Sequence, residues 1–318
     1  MPTSLRQRAG LLQICLAGVL WGTGGLAVQV IREHAPLSPA TISAYRTTIA
    51  ALVLLAACVA MRQLGGVRQL LADRPGPTTF VGLATAAYQA LYFASVVWVG
   101  VTVSTVVSLG VAPLALALRD TIRRRTPPEL PEVLTVVAAL AGLMLVCGSA
   151  GLDDTGPHPV LGVLAAIASG SAYAVATDVG EPLARSTEPL VLTTAATLVG
   201  ACGLLPVALL AGGPWTTSDQ VAIGTLVYLG GFTFAVAYAL LYSGLRTTSS
   251  SAAVVATLLE PVTAAVAAAA FLGERLSAWG LVGIALVVAA IAGTAREHPG
   301  TGVGPVADPD PGRPRVTR

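Results

Sequence analysis

Charge is scarce in this sequence. Only 11% of its 318 residues are charged, whereas soluble domains carry roughly 25% charged residues. Lysine is absent, so all eighteen basic residues are arginine, and 54% of the chain is hydrophobic. This composition excludes an ordinary soluble domain and predicts an all-α polytopic membrane protein.

Residues that bind metals or perform nucleophilic catalysis are also few. The four cysteines all lie within apolar runs and form no CxxC pair, so neither a disulfide nor a metal site is predicted. The three histidines fall in connections or in the tail, which argues against a membrane enzyme. No P-loop and no basic patch with interleaved aromatic residues is present, which excludes direct use of ATP and a nucleic-acid partner. No cofactor is predicted.

Long apolar runs dominate what is present. A bilayer-spanning helix needs about 20 apolar residues, and the runs suffice for ten such spans. The third and fourth runs are nearly continuous, and Gly100 offers the turn between them. The spans are predicted near residues 10–31, 39–60, 77–98, 102–118, 131–149, 159–180, 190–211, 219–243, 248–271 and 277–295.

The arginines orient these spans. Fifteen fall in connections or termini on one side, only Arg32 and Arg275 lie on the other, and Arg46 is within a span. Because positive residues accumulate on the cytoplasmic side, both termini are predicted to be cytoplasmic, in a plasma (inner) membrane. The opposite side carries the acidic pair Asp153-Asp154.

The two halves of the chain repeat. A shift of 148 residues places Trp21-Gly22 on Ser169-Gly170 and Pro113 on Pro261. An odd number of spans in each repeat inverts the second repeat in the membrane, an arrangement typical of alternating-access transporters. The predicted units are two five-helix repeats, followed by a disordered cytoplasmic tail rich in Pro, Gly and Arg; they cover residues 1–150, 157–295 and 296–318.

Residues 228–290 carry the most specific pattern, the run from Leu259-Glu260-Pro261 to Gly273-Glu274-Arg275-Leu276. Together with Trp21-Gly22, Ser43-Ala44-Tyr45-Arg46 and Pro113 in the first half, this pattern resembles the EamA-type transporters of the drug/metabolite transporter superfamily. The resemblance implies ten helices in two inverted five-helix repeats around a central cavity lined mostly by spans 1, 3, 4, 6, 8 and 9. It also implies export or exchange of small metabolites by secondary transport, and it leaves the substrate open.

Glu260 is the acid placed near the middle of a span. Because an apolar environment disfavours the charged form of a carboxyl group, Glu260 can serve as a proton-binding carboxylate or as the counter-charge of an amine substrate. The alternative is a structural acid that bonds to loose backbone beside Pro261. The first repeat has Ala112 at the matching place, so any acid chemistry belongs to one half only.

The matched prolines free two carbonyl groups. Pro113 and Pro261 lack an N–H group, so we expect the carbonyls of Leu109 and Thr257 to be without partners. The two resulting kinks either shape a cavity and let the helix halves rock, or are ordinary features of membrane helices.

Other charged residues lie within or near the spans. Arg46 is about 12 Å and Glu260 about 16 Å below the outer surface at 1.5 Å per residue, so an ion pair between them is conceivable. Arg46 can otherwise extend toward the surface or bind helix-end carbonyls. Asp178 and Glu181 share a face near the cytoplasmic end of span 6 and are interpreted as solvated acids.

Aromatic residues make up 5% of the chain and concentrate in spans 3 and 8. The pairs Tyr88/Tyr92 and Tyr238/Tyr242 are each spaced i,i+4, which places both rings of a pair on one helix face. Such rings either line a cavity for organic solutes or pack the bundle. Mid-span Trp21 and Gln89 join them as weaker candidates. The predicted cavity residues are therefore Trp21, Tyr88, Gln89, Tyr92, Pro113, Tyr238, Tyr242, Glu260 and Pro261, with Arg46 and Glu260 for charge coupling.

These patterns predict a secondary transporter, an exporter or exchanger of small organic metabolites or drugs, and not an enzyme. Its partners are a small-molecule substrate and membrane lipid, and its oligomeric state is not predicted. Proton coupling is an open option. A non-transporting receptor or scaffold is the alternative, and an intramembrane enzyme is less favoured.

Overall fold

The computed structural model describes residues 3–148, 157–271 and 277–294, and the regular structure in these ranges is entirely helical. The all-α prediction is therefore confirmed. Several predictions fall outside the described residues: the tail 296–318, the acidic pair Asp153-Asp154, and the turn that contains Glu274 and Arg275.

Fourteen α-helices and one π-helical segment follow each other along the described chain. The first half contains α1 (Thr3–Gly22), α2 (Gly24–His34), α3 (Pro39–Ala60), α4 (Leu64–Asp73), α5 (Pro75–Val99), α6 (Val101–Arg124) and α7 (Leu130–Gly148). The second half contains α8 (Pro159–Ser186), α9 (Pro189–Ala211), α10 (Gln220–Gly230), the π-helical segment (Gly231–Val236), α11 (Ala237–Leu245), α12 (Ser250–Ala256), α13 (Leu259–Phe271) and α14 (Ala278–Thr294).

Nine helical stretches in the described ranges are long and apolar enough to cross a membrane. Three of them join consecutive helices: Leu5–His34, Gln220–Leu245 and Ser250–Phe271. The predicted tenth span corresponds to α14, which has 17 residues. At 1.5 Å per residue this is about 26 Å, less than the roughly 30 Å of a bilayer core. The tenth span stays a prediction.

The connections contain one confirmed turn and one unpredicted helix. Gly100 separates α5 from α6 with a φ of 90°, a conformation that glycine adopts at little cost. Residues 61–76 were expected to be a plain connection, but α4 forms there. Its apolar residues Val67 and Leu70 lie three positions apart on one face and are buried in the main core with Val191 of α9.

The two halves of the chain interleave. The most extensive packing joins a helix of the first half to one of the second: α5 to α8, α7 to α14, α6 to α8, α3 to α9 and α1 to α11. The main core correspondingly combines residues from both halves, among them Ile14, Leu54, Leu192 and Leu241. Neither half therefore buries its apolar surface alone.

Glycines permit two of these close approaches. Gly22 of α1 packs so tightly on α13 that a Cβ atom there would overlap the carbonyl oxygen of Glu260 and the side chain of Thr263. Gly170 of α8, its partner under the 148-residue shift, packs in the same way on the backbone of Ser108 in α6. The repeat-matched glycines thus occupy equivalent positions between the halves.

Charged residues connect the helices at the end of the bundle that contains Arg74, Arg119 and Arg185, which we call the arginine-rich end. Arg119 pairs with Asp178, its Nε donating to Oδ2 at 3.1 Å. Glu181 accepts the backbone N–H of Ser250 at 2.7 Å and pairs with Arg185 at 2.8 Å.

The structure thus corrects the interpretation of Asp178 and Glu181 as solvated acids. Their side chains are only 16% and 18% exposed, and both carboxylates have partners. Asp120 extends the network, because it accepts a hydrogen bond from the hydroxyl of Ser251 and pairs with Arg119. The network ties α6 of the first half to α8 and α12 of the second.

The close approach of α1 and α13 predicts the effect of adding one methyl group. We expect Gly22→Ala to lower the stability of the purified protein by about 1–3 kcal/mol, as for other overpacked sites, because the new atom meets backbone that cannot rotate away. Gly25→Ala is the matched control, since a Cβ atom there has no neighbour within 4 Å. Thermal unfolding of both variants in the same detergent measures the difference; equal melting temperatures would contradict the close approach.

The charged network predicts a second difference in stability. Asp178→Asn removes one of the two acids that pair with half-buried Arg119 and leaves Asp120 as the other, so we expect a loss of about 1–3 kcal/mol. Glu188→Gln removes an ion pair with Arg246 whose side chains are 62% and 39% exposed, and such pairs contribute about 0–1 kcal/mol. Denaturant or thermal unfolding compares the two, and an equal effect would show that the Asp178 network is no stronger than an exposed ion pair.

Candidate substrate site

The ninth predicted span is a broken helix. α12 ends at Ala256, and α13 begins at Leu259. Across the break the hydrogen bonds tighten from i+4 to i+3, with Leu258 N–H bonding to the Val255 carbonyl at 3.1 Å and Glu260 N–H to the Thr257 carbonyl at 2.9 Å. The expectation that the Thr257 carbonyl lacks a partner is therefore wrong, because the amide of Glu260 occupies it.

Pro261 explains where the break falls. It is the third residue of α13, and the first turn of a helix tolerates proline because its N–H groups have no intrahelical partner in any case. Starting a new helix at Leu259 removes the conflict between proline and an unbroken helix. Pro113 behaves differently, since α6 continues through it. The matched prolines therefore do not produce matched breaks.

A hydroxyl chain satisfies the carbonyl that the break releases. In an unbroken helix Val254 would accept the amide of Leu258, which bonds instead to Val255. The Thr257 hydroxyl donates to the Val254 carbonyl at 2.9 Å, and the Tyr173 hydroxyl donates to Thr257 Oγ1 at 3.2 Å. A side chain from α8 thus completes the hydrogen bonding of the break.

Glu260 lies just after the break and is half-buried. In the described residues its carboxylate has no hydrogen-bond or ion-pair partner. It interacts electrostatically with one guanidinium group and with several tyrosines and a cysteine: Arg46, Tyr88, Tyr92, Cys147, Tyr173 and Tyr238. The carboxylate is therefore within electrostatic range of the aromatic residues and of Arg46 without forming a hydrogen bond or ion pair in the described part of the chain.

Arg46 binds backbone and a ring instead of Glu260. Its Nη2 donates to the Thr233 carbonyl at 3.2 Å, and its guanidinium carbon lies 5.3 Å from the centre of the Phe234 ring. Thr233 is within the π-helical segment, where the shifted hydrogen bonding makes carbonyl groups available. Of the alternatives for Arg46, the structure shows binding to a helix carbonyl, and the described part contains no ion pair between Arg46 and Glu260.

The predicted aromatic residues form one cluster. Both i,i+4 pairs make ring contacts, at 6.4 Å between the centres of Tyr88 and Tyr92 and 6.3 Å between those of Tyr238 and Tyr242. Trp21 contacts Tyr238 at 5.2 Å in an edge-on geometry. We call the set of contacting rings the aromatic cluster; its members are Trp21, Tyr88, Tyr92, Phe93, Tyr173, Phe234, Tyr238 and Tyr242.

Tyr173 joins the two sides of this cluster, and the sequence analysis missed it. Its ring centre lies 5.2 Å from that of Tyr88 and 6.4 Å from that of Trp21. Tyr173 has no i,i+4 aromatic partner in α8, so the spacing rule that singled out the other tyrosines does not apply to it. The resemblance placed span 6 at the cavity and was the one signal that pointed toward this position.

Two of the predicted residues border empty space within the bundle. Gln89 is buried, accepts a hydrogen bond from Ser43 at 3.3 Å, and lines a void of about 10 Å³ together with Tyr238 and Tyr242. A void of this size holds about one water molecule. Pro113 instead lines a separate cavity at the arginine-rich end.

That cavity has a volume of about 880 Å³, within the range of small-molecule sites. It is bounded by α6, α7, α8, α12 and α14, and extends from the Arg119–Asp178 pair to Pro113 and Val255. Val255 belongs to the last turn before the helix break. The cavity therefore reaches from the arginine-rich end toward the segment that carries Glu260.

Two buried donors in this region have no partner among the described residues. The indole Nε1 of Trp21 and the Nε of Arg46 are both inaccessible and make no hydrogen bond in this part of the chain. An unsatisfied buried donor costs about 1–3 kcal/mol, so native proteins rarely retain one without a ligand, a water molecule or a functional reason. The region thus combines flat aromatic surfaces, a carboxylate and two buried donors that a polar solute could reach only if the surrounding side chains moved.

Comparison with known proteins agrees with this architecture. The model of the EamA-like transporter family matches residues 8–148 and again residues 160–296. An uncharacterized transporter of Bacillus subtilis (strain 168), YwfM, is 28% identical over 279 residues, which cover 87% of this chain and 90% of that protein. A solved crystal structure described only as that of a protein has the same fold, with a TM-score of 0.76 at 21% identity over 90% of this chain and 96% of that chain.

The two family matches together cover most of the chain, one in each half. They agree with the presence of apolar helices of membrane-spanning length in both halves of the described chain. This multi-pass protein of the cell membrane is a transporter and belongs to the EamA-like transporter family.

Proposed function

We propose that this protein is a secondary transporter that exports or exchanges a small organic solute by alternating access. The solute binds at the aromatic cluster beside Glu260, with Trp21, Tyr88, Tyr92, Tyr238 and Tyr242 as its walls. Gln89 lies beside Tyr238 and Tyr242. Arg46 and Glu260 supply charge, and the break at Pro261 lets the two helix segments move relative to each other. Membrane lipid surrounds the bundle.

One observation carries the proposal: a half-buried carboxylate, without a hydrogen-bond or ion-pair partner among the described residues, lies directly after a helix break that is hydrogen-bonded to Tyr173 of the aromatic cluster. Ionisable groups inside membrane proteins are costly and usually mark substrate or ion pathways. Broken helices are the usual place for such sites in transporters, because the break frees backbone groups and separates two rigid halves. An acid that merely stabilised the fold would be expected to have a hydrogen-bond partner.

The cavity of about 880 Å³ supports a pathway from one side. We propose that the arginine-rich end is cytoplasmic and that Pro113 lines the path by which a solute enters from the cytoplasm. The network of Arg119, Asp178 and Ser250 joins both halves of the chain at this end, so rocking of the halves would change it. This arrangement suits an exporter that loads from inside.

The proposed architecture has ten spans in two inverted five-helix repeats, residues 1–150 and 157–295, with both termini and a disordered tail, 296–318, in the cytoplasm. Its support is the fifteen-to-two division of arginines and the equivalent contacts of Gly22 and Gly170.

Topology is tested with reporter fusions. Fusions after Arg68, Arg125, Arg246 and the last residue are expected to report the cytoplasm, because arginine-rich connections are retained there. Fusions at Asp154 and Thr216 are expected to report the opposite side. An exterior carboxyl terminus would contradict the ten-span arrangement and the inverted repeat with it.

Proton coupling follows from the position of Glu260. An apolar, closed site favours the protonated form of a carboxyl group, and opening to water favours the ionised form. Each transition between the two conformations would therefore bind or release a proton. The substrate then moves against its gradient at the expense of the proton gradient.

Glu260→Gln preserves the shape of the side chain and cannot ionise, so gradient-driven transport is expected to stop while exchange persists. A thermal-shift screen of purified protein against metabolite pools first supplies a binding solute. Uptake of that solute into everted vesicles is then measured with and without an imposed pH gradient.

Glu33→Gln is the matched control, because Glu33 is an exposed acid whose side chain contacts only Gln29 in the described structure. Its vesicles are expected to behave as wild type. If the Glu260→Gln protein still concentrates the solute in response to the gradient, Glu260 is structural and proton coupling must involve another group.

A further inference from the structure

Tyr173 makes two kinds of contact, one through its ring and one through its hydroxyl group. Its ring lies in the aromatic cluster, 5.2 Å from Tyr88 and 6.4 Å from Trp21 between ring centres. Its hydroxyl donates to Thr257 Oγ1 at 3.2 Å, inside the helix break. Tyr173 is only 5% exposed, so both the ring contacts and the hydroxyl hydrogen bond are buried.

The hydrogen bond from the Tyr173 hydroxyl is connected to Glu260 through Thr257. Thr257 uses its own hydroxyl to hold the Val254 carbonyl at 2.9 Å, which fixes the end of α12. The Thr257 carbonyl accepts the backbone N–H of Glu260 at 2.9 Å, which fixes the start of α13. One threonine therefore holds both sides of the break, and Tyr173 is its contact with α8.

The ring of Tyr173 contacts the residues at which we propose that the solute binds. Trp21 and Tyr88 come from α1 and α5, and Tyr173 lies between them as the one member of the cluster from α8. A flat solute that enters the cluster displaces rings that touch Tyr173. Since rings in van der Waals contact cannot move independently, the position of Tyr173 depends on what the cluster holds.

We propose that Tyr173 is a positioning residue that couples the occupancy and shape of the aromatic cluster to the helix break that carries Glu260. The inference rests on the proposed function, because it assigns a physical connection between the solute site and the carboxylate. The connection acts in both directions: protonation of Glu260 must alter the cluster by the same coupling free energy with which the cluster alters protonation.

This reciprocity permits a test without a known substrate. Trp21 contacts both Tyr173 and Tyr238 and reports the state of the cluster through its fluorescence. Trp98→Phe, Trp215→Phe and Trp279→Phe together leave Trp21 as the sole tryptophan, and this triple variant is the reference protein. Emission is recorded from about pH 5 to about pH 8, a range in which tyrosine and arginine do not ordinarily titrate.

The titratable groups of the described helices that interact electrostatically with Glu260 are Arg46 of α3, Tyr88 and Tyr92 of α5, Cys147 of α7, Tyr173 of α8 and Tyr238 of α11. None of these side chains is a carboxylate or an imidazole. In the reference protein we therefore expect a single pH-dependent step in Trp21 emission, and its loss in Glu260→Gln identifies the carboxylate as the origin.

Tyr173→Phe keeps the ring and removes the hydroxyl. We expect its pH-dependent step to fall to the level of Glu260→Gln although Glu260 is intact. Thr257→Val is expected to lose the step as well, while Thr257→Ser keeps a hydroxyl and restores it. Because Thr257→Ser and Thr257→Val alter the same position, their comparison remains informative if Tyr173→Phe fails to fold.

Tyr45→Phe and Thr225→Val are the matched controls. The hydroxyl of Tyr45 donates to the backbone carbonyl of Trp215, and that of Thr225 to the carbonyl of Val221, both away from the cluster. Each is expected to retain the full step. Gel filtration and thermal unfolding of every variant show that the proteins compared are folded.

The outcomes separate the two proposals. If Glu260→Gln abolishes the step and Tyr173→Phe retains it, Tyr173 merely packs and the inference is overturned while the proposed function stands. If Glu260→Gln retains the step, or the reference protein shows none, the carboxylate does not act on the cluster and the inference is overturned, whereas the proposed transport is still tested independently by uptake into vesicles. Loss in both variants, with retention in Tyr45→Phe, supports the coupling.

Discussion

Hydrogen bonding of the backbone is the constraint on which this structure depends. In an apolar surrounding every amide and carbonyl group needs an internal partner, so a broken helix is permitted only where other groups replace its lost bonds. At the break before Glu260, two i+3 bonds and the hydroxyls of Thr257 and Tyr173 supply that replacement. The carboxylate can therefore lie beside a break without destabilising the bundle, and its position depends on a helix from elsewhere in the chain.

The two halves of the chain interleave through similar contacts, but they differ in detail. Glycines at repeat-matched positions let helices of opposite halves touch through their backbones, and ion pairs around Asp178 join the halves at the arginine-rich end. Yet the halves are not equivalent in detail. Pro113 lies in a continuous helix where Pro261 follows a break, and Ala112 stands where the other half has Glu260. The repeated scaffold is thus asymmetric in detail, with the mid-span acid and the helix break both in the second half.

Properties that depend on local pattern could be read from the sequence. Low charge and long apolar runs indicated a helical membrane bundle, since these quantities need no knowledge of partners. The turn at Gly100 followed from the conformational freedom of glycine. Contacts within the pairs Tyr88/Tyr92 and Tyr238/Tyr242 followed from helical periodicity, because residues four apart face the same way whatever surrounds the helix.

Properties that depend on distant partners were decided by the tertiary structure. Arg46 binds a carbonyl 187 residues away instead of Glu260, because the π-helical segment places the Thr233 carbonyl and the Phe234 ring beside its guanidinium group. Tyr173 enters the site through a threonine 84 residues along the chain, a contact that no spacing rule contains. Composition and periodicity determined that the chain forms apolar helices and which side chains share a helix face. Which faces meet, and hence which donor each acceptor finds, was settled only when the two halves packed together.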